Sequence, residues 1–331
     1  MHNLRGIALV VFSMAAFSVE DALIKLMTQR MPTGQVMLLL GLGGSLVFLA
    51  AAGRSGAGAI WILRALRSRA LRWRTLGEAA GALSFVSALA LIPLSTVAAV
   101  FQATPLAVTA GAALLFGETV GWRRWAAVAA GFLGVLMIIR PGLDGFRPEA
   151  ALVLVTVVAI AARDLLTRRM PVAIPSTAVA FHGFLAVMLS GAALLAASGG
   201  ARPLTADLLA PLAGAILCGT SGYYAIVAAM RLADASALMP FRYARLVFSL
   251  ILGLAFFAER PDGMTLAGAA LIVAAAFYTY QRERRLQRIA ARPAAGDGSA
   301  ATAAPDNDRF PSPGRSPKPL PDPVTHHRSA R

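Results

Sequence analysis

Apolar runs of about twenty residues recur from residue 4 to residue 281, separated by short stretches that hold most of the arginines and many of the prolines. A hydrocarbon core about 30 Å thick takes roughly 20 apolar residues per helix. The spacing predicts ten membrane-crossing helices at about 4–29, 34–52, 73–92, 95–116, 123–140, 149–169, 175–198, 208–230, 236–258 and 262–281, with ends good to about two to four residues. Pro93 marks one tight connection and Arg260–Pro261 another. The pattern stops near Arg282, where RERRLQRIAARPAAGDGSA begins a basic segment that gives way to Pro, Ala, Ser, Asp and Arg. Such a composition buries too little apolar surface to offset its ordering entropy, so 282–331 is expected to be a disordered tail. The fold class expected is all-α integral membrane.

The polar exceptions to this pattern are more informative than the pattern itself. The first apolar run contains FSVEDALIKLMTQRMPT at 17–33, with Glu20, Asp21 and Lys25 inside a helix that lipid should surround. A second copy, IAARDLLTRRMPVAIPS, lies at 160–176. At this offset of 143, Asp21 falls on Asp164, Leu23 on Leu166, Met27 on Met170 and Pro32 on Pro175, while Lys25 matches Arg168 in kind. Further on, Phe116-Gly117-Glu118 matches Phe257-Ala258-Glu259 and Ser95 matches Ser236 at an offset of 141. The chain therefore reads as two related halves, 1–142 and 149–281, of five helices each. Five is odd, so the second half starts from the opposite face and the repeats are inverted. That is the usual build of a secondary transporter, because exchanging the conformations of the halves exchanges which side is open.

Composition agrees with the helices. The chain is 57% hydrophobic and 14% charged, with mean hydropathy +0.67, against about 25% charged residues in a typical soluble domain. Net charge is +15, but the arginines sit in short loops and the tail. Arg5, Arg54, Arg64, Arg67, Arg69, Arg72, Arg74, Arg123, Arg124, Arg168, Arg169 and Arg231 fall on the side of the N-terminus, and Arg30, Arg140, Arg147, Arg202 and Arg260 on the other. This bias places both termini in the cytoplasm and explains the charge without nucleic acid. The single Cys218 excludes an intramolecular disulfide and reads as a small core residue. No cleavable leader is expected. Adjacent His326 and His327 lack the further donors a metal site requires, and no cofactor is implied.

The stretches AAFSVEDALIKL (15–26), ALIPLSTVAAVFQATPLAVTAGAALLFGE (90–118), GFLGVLMIIRPG (131–142), AARDLLTRR (161–169) and FFAE (256–259) resemble the EamA-type families of the drug/metabolite transporter superfamily. The resemblance covers about 4–281, and the block from Pro93 to Gly142 is its most specific part. It implies an electrochemically driven carrier in a bacterial inner membrane, with a central cavity lined mainly by helices 1, 3, 4, 6, 8 and 9. Solutes moved by such carriers include amino acids, S-adenosylmethionine and riboflavin.

A charge at mid-helix costs about 2.5–3.5 kcal/mol on insertion scales, so the buried charges should pair or face water. Asp21 with Lys25 and Asp164 with Arg168 are spaced i,i+4, and each pair is expected either to meet on its own helix or to serve gating and proton coupling together with Glu20. Asp164 with Arg242 or Arg245 is the expected inner gate, while the corresponding helix-4 positions, Phe101 and Thr104, are uncharged. Arg242 and Arg245, i,i+3 in MPFRYARLVF, suit bidentate contact to carboxylate or phosphate. With Tyr243, Tyr223, Tyr224 and Gln102 they form the candidate substrate-binding set. Glu118 and Glu259 read as helix-end residues pairing with Arg123, Arg124 or Arg260. The expected partners are a small polar or amphipathic solute, anionic or zwitterionic, and anionic lipid headgroups at the bases beyond helix 10. Monomer and homodimer both remain open. Riboflavin-type uptake and amino-acid-type efflux are the leading branches. A non-transporting sensor is the alternative, and an intramembrane enzyme is disfavoured by the missing catalytic constellation.

Overall fold

A computed structural model of the chain describes residues 2–54, 68–117, 121–142, 147–168, 170, 174–232 and 238–290. Among these residues the regular structure is helical throughout. The first half holds α1 (His2–Thr28), α2 (Thr33–Arg54), α3 (Arg69–Leu91), α4 (Leu94–Phe101), α5 (Thr104–Phe116) and α6 (Trp122–Ile139). The second half opens with a 3-10 turn at Pro148–Ala150 and continues with α7 (Ala151–Arg168), α8 (Ser176–Ala197) and α9 (Ala206–Leu232). A second 3-10 turn, Met239–Tyr243, leads into α10 (Ala244–Phe257) and then α11 (Gly263–Ala290). Met1–Gln287 forms one unit and Arg288–Arg331 another; the sites below all lie in the first. α11 carries on past Arg282 to Ala290, so the basic run is helical at its start, and 291–331 lies outside the described residues.

Nine segments among the described residues are long and apolar enough to cross a membrane. α3 is as long as these, at 23 residues, but Arg69, Arg72, Arg74 and Glu78 lower its hydropathy. Predicted helices 4 and 9 are each broken. α4 ends at Phe101 and α5 restarts at Thr104, with Pro105 in its first turn, where its missing N–H costs nothing. Pro240 sits likewise in the 3-10 turn that precedes α10. At the offset of 141, Gln102 at the first break falls on Tyr243 at the second. Both have near-helical backbone angles, so these are changes of winding rather than sharp corners.

The most extensive packing joins the halves: α1 against α9, α2 against α8, and α3 against α7. Small residues let these backbones approach, as lipid-embedded helices require in the absence of a hydrophobic drive between them. The two halves make one contact twice. A side chain at Gly81 would meet Ile160 and Ala159, and one at Gly222 would meet Phe17 and Ala16. These residues are matched by the offsets 141 and 143, so the sequence repeat is also a repeat of packing. The core holds Met27, Met37, Leu89, Ile92, Leu94 and Ile272, all fully buried. Leu114 and Trp122 are exposed on the surface that acyl chains would cover.

Polar ties fasten one end of the bundle. Gln35 and Arg202 exchange two hydrogen bonds, Nε2 to O at 2.7 Å and N to Oε1 at 2.8 Å, and Arg30 pairs with Asp207. Arg140 pairs with Asp262 in the same way, joining the end of α6 to the start of α11. Hydrogen bonds from Arg140 and Thr265 hold the Asp262 carboxyl well below the usual carboxylate range.

α6 and α11 meet backbone to backbone. A Cβ on Gly134 would lie 2.7 Å from the Gly268 carbonyl oxygen, and one on Gly268 would lie 2.6 Å from that of Gly134. Gly134→Leu is expected to lower the melting temperature of the purified protein in detergent by several degrees, whereas Gly53→Ala, with nothing within 4 Å, should leave it unchanged. Fluorescence-detected thermal unfolding of both variants checks this.

Candidate substrate and gating site

The centre of the bundle is organised by Arg245 in the first turn of α10. Its guanidinium grips Asp21 on α1: Nη2 donates to Oδ1 at 2.9 Å and Oδ2 at 2.7 Å, and Nε donates to Oδ2 at 3.2 Å. Asp21 is buried. Three phenyl rings surround the same guanidinium, Phe101 at 5.1 Å, Phe17 at 5.5 Å and Phe85 at 5.6 Å from ring centroid to Cζ. These lie within cation–π range, and Phe85 and Phe101 also contact each other at 5.3 Å. Ser18 Oγ donates to the Arg245 carbonyl at 3.1 Å and accepts from Ser249 Oγ at 3.2 Å, which fixes α1 to α10 beside the pair. A charged pair, a polar ladder and an aromatic cage thus meet where α4 and α5 divide.

A second charged cluster ties the start of α3 to the end of α7. Arg163 bridges Glu78 and Asp164, with Nη1 at 2.9 and 3.1 Å from the Glu78 oxygens and Nη2 at 2.8 Å from Asp164 Oδ1. Arg74 completes the cluster, Nη2 at 3.1 Å from Glu78 and Nε donating to Thr167 Oγ1 at 3.2 Å. Two guanidinium groups balance two carboxylates, so the cluster is neutral as a whole.

The predicted i,i+4 pair of Asp21 with Lys25 is not formed. Lys25 turns to the end of α3 and donates to the carbonyls of Leu89 at 3.0 Å and Ile92 at 2.6 Å, with Glu259 Oε1 at 3.9 Å. The reason is local: the last carbonyls of α3 have no intrahelical donor, and a cation there satisfies them and the helix dipole together. Asp164 likewise finds its partner in the adjacent Arg163; the Arg168 side chain lies outside the described residues. The expected Asp164–Arg245 gate is excluded in this conformation, because Arg245 is taken by Asp21. Arg242 lies within electrostatic reach of Asp164. Arg242 itself is exposed.

The remaining candidates divide. Gln102 is buried at the helix break, and among the described residues its Nε2 has no hydrogen-bond partner. Glu20 faces Gly219 on α9, and among the described residues its carboxylate makes no hydrogen bond or ion pair. At the offsets of the repeat, Glu20 stands where Arg163 stands in the other half, and Gly219 stands where Glu78 stands. The contact that the second cluster makes as an ion pair is thus repeated by a lone carboxylate against glycine. Tyr223 packs edge-on against Phe48 of α2 at 5.3 Å. Tyr243 packs among Leu106, Ala275 and Ala276, away from the cage. Tyr224 is 73% exposed, one heptad from exposed Leu217, on the face of α9 turned away from its neighbours. The candidate tyrosines therefore do not join Arg245.

Five residues that carry these sites were not among the candidates. Arg74 and Glu78 are opposite charges at i,i+4 inside a predicted membrane helix, so the argument that singled out Asp21 applied equally to them. Arg163 stood next to Asp164 in the quoted repeat. Phe17 and Phe85 gave no signal, because an aromatic in an apolar run is ordinary core until its neighbour is known. Glu259, read as a helix-end residue, instead accepts three hydrogen bonds at the start of α4; glutamate at that end of helix 9 gives no hint of an acceptor role 164 residues away in sequence.

The sequence profile of the EamA-like transporter family matches residues 4–140 and 147–281. A riboflavin transporter of Rhizobium johnstonii is 33% identical over 221 residues, 65% of this chain and 72% of that protein. An S-adenosylmethionine uptake transporter of Rickettsia prowazekii is 25% identical over 285 residues, 85% and 94% of the two chains. The pseudopaline exporter CntI of Pseudomonas aeruginosa is 26% identical over 274 residues, 82% and 94%. A crystal structure of a protein 23% identical in sequence superposes with a TM-score of 0.57, covering 86% of this chain and 98% of that one, which supports the fold alone. These relatives are membrane transporters, not enzymes, and their bacterial origin agrees with a multi-pass inner-membrane location. With both halves matched, the chain belongs to the EamA-like transporter family and is a membrane transporter of small metabolites.

Proposed function

We propose that the protein takes up a flat, ring-bearing polar metabolite, with riboflavin-type solutes first among them, by proton-coupled alternating access between two inverted halves, 1–142 and 149–281. The observation that carries this reading is the Arg245 cage. Three phenyl rings offer faces for a planar heterocycle to stack on, and the buried Gln102 amide has a donor free for a ring carbonyl. An unused donor in such a place costs about 1–3 kcal/mol, which a bound carbonyl would recover. The named solutes of two relatives, riboflavin and S-adenosylmethionine, both carry a fused nitrogen heterocycle on a hydroxylated five-carbon sugar-derived unit. α3 serves as the tenth crossing in this reading, its charges neutralised by the α7 cluster. The loop arginines put both termini in the cytoplasm, so the Arg74–Glu78–Arg163–Asp164 cluster faces inward and Lys25 faces outward. The bases of α11 then meet anionic headgroups. The interfaces between the halves lie within the chain, so a monomer suffices for the cycle and a homodimer adds nothing to the site.

Glu20 is the group assigned to the coupling proton. Asp21, Asp164 and Glu78 each have a cation in direct contact, and among the described residues Glu20 has none, so of these four its charge is the one a bilayer interior tolerates least. A second reading, efflux of an amino-acid-like zwitterion, is favoured by the presence of both charges in the Asp21–Arg245 pair and by the exporter among the relatives.

The carrier reading is tested by reconstituting the protein in liposomes and following riboflavin uptake by its fluorescence, with an amino-acid panel for efflux alongside. Substrate-dependent flux is expected, and its absence in both directions would sink the proposal. Arg245→Lys keeps the charge and loses the bidentate fork and its stacking. Its KM for the solute is expected to rise at least tenfold, about 1.4 kcal/mol, with protein yield unchanged. In wild-type liposomes an outward-acid pH gradient should speed uptake several-fold. Glu20→Gln should abolish that acceleration while retaining solute exchange at equal pH, and acceleration that persists in Glu20→Gln would remove Glu20 from the coupling step.

A further inference from the structure

At the end of the bundle opposite the Arg163 cluster, one small assembly joins four elements. The chain leaves α10 through Ala258, whose backbone is left-handed at φ 51°, and the Glu259 N–H donates to the Gly253 carbonyl at 3.0 Å. That corner aims the Glu259 carboxylate at the first turn of α4. Oε1 accepts from Leu94 N at 2.6 Å, and Oε2 accepts from Ser95 N at 2.9 Å and Ser95 Oγ at 2.8 Å. Pro93, which precedes α4, has neither an N–H nor a capping side chain, so the opening amides of α4 are satisfied from α10. Lys25 of α1 lies 3.9 Å from the same carboxylate while donating to the two carbonyls that close α3, and its ammonium sits 5.6 Å from the Phe257 ring centre.

Each partner belongs to a terminus rather than to the middle of a helix. α1 and the α3–α4 corner come from the first half of the chain, and α10 comes from the second. The contacts are polar and are held by two side chains, Lys25 and Glu259. What they release is also defined: the α4 amides, the α3 carbonyls, the ammonium and the carboxylate would all face the open recess of about 580 Å³ already present here, which Gln29, Arg147 and Phe256 line in part. Water can replace every one of those bonds there.

We infer that Lys25 and Glu259 form the outer gate of the carrier: a latch in which Glu259 caps α4 and Lys25 closes α3 when the outside is shut, and which opens when α10 moves away from the α3–α4 corner. This rests on the alternating-access reading given above. It supplies the outer counterpart that the uncharged positions Phe101 and Thr104 do not.

The test is accessibility rather than flux. Ala98 is buried on α4, one turn beyond Ser95. With Cys218→Ser as background, Ala98→Cys is labelled with a membrane-impermeant maleimide from the outside in cells and from the inside in inverted vesicles. Glu259→Gln and Lys25→Gln should each raise outside labelling at least tenfold and leave inside labelling unchanged or lower. Ser95→Ala, which removes one of three bonds to the carboxylate, should raise it less, and Glu259→Asp should restore part of the protection. Unchanged labelling in folded Glu259→Gln and Lys25→Gln protein would overturn the gate. So would a rise from both sides with loss of the monodisperse peak, which is the signature of a static cap whose removal unfolds the bundle. If the variants shift labelling as expected while wild-type protein moves neither riboflavin nor amino acids, the gate stands and the substrate assignment falls.

Discussion

A charge inside a bilayer has to be answered within the protein, and the described core is arranged around that requirement. Asp21 cannot sit in α1 unless a cation reaches it, and the cation that does so, Arg245, comes from 224 residues away on the other half of the chain. Truncating either partner leaves a buried charge alone, which costs about 3–5 kcal/mol. The same pair sets the register of α1 on α10 through the Ser18 and Ser249 hydroxyls and positions the aromatic cage. Stability, register and the aromatic cage therefore depend on one contact.

The repeat divides this burden unequally. The cluster at the α3–α7 crossing is self-neutralising, with two bases and two acids, and ties two helices firmly. Its counterpart at the α1–α9 crossing replaces a guanidinium with Glu20 and a carboxylate with Gly219. One crossing of the pseudo-symmetric pair is thus braced by its own charges, while the other keeps two acids, Glu20 and Asp21, and a close backbone approach. Duplicated halves gave the two crossings the same geometry, and single substitutions within it gave them different chemistry.

Much of this was legible in the sequence, and the remainder was hidden for identifiable reasons. Run lengths gave the helices, and the prolines at 105 and 240 stand where helices 4 and 9 break. The charged repeat pointed to Asp21, and the run MPFRYARLVF pointed to Arg245. Partner choice was not legible. The i,i+4 rule sees only one helix at a time, whereas Lys25 answered the unsatisfied carbonyls at the end of α3 and Asp21 answered a guanidinium from α10. Arg74 and Glu78 were overlooked because α3 reads as the most polar of the crossings, so its charges resembled a helix end. Aromatic residues are silent in an apolar run, so the cage of Phe17, Phe85 and Phe101 became visible only with all the helices in place.

The corner before Glu259 carries one more consequence. Ala258 occupies the left-handed region, and its counterpart in the first half, Gly117, occupies the same region at φ 66°. Glycine adopts that conformation freely, whereas alanine pays about 1 kcal/mol or somewhat more. The same turn is therefore free of strain in the first half and strained in the second. The two halves thus repeat one corner at unequal conformational cost.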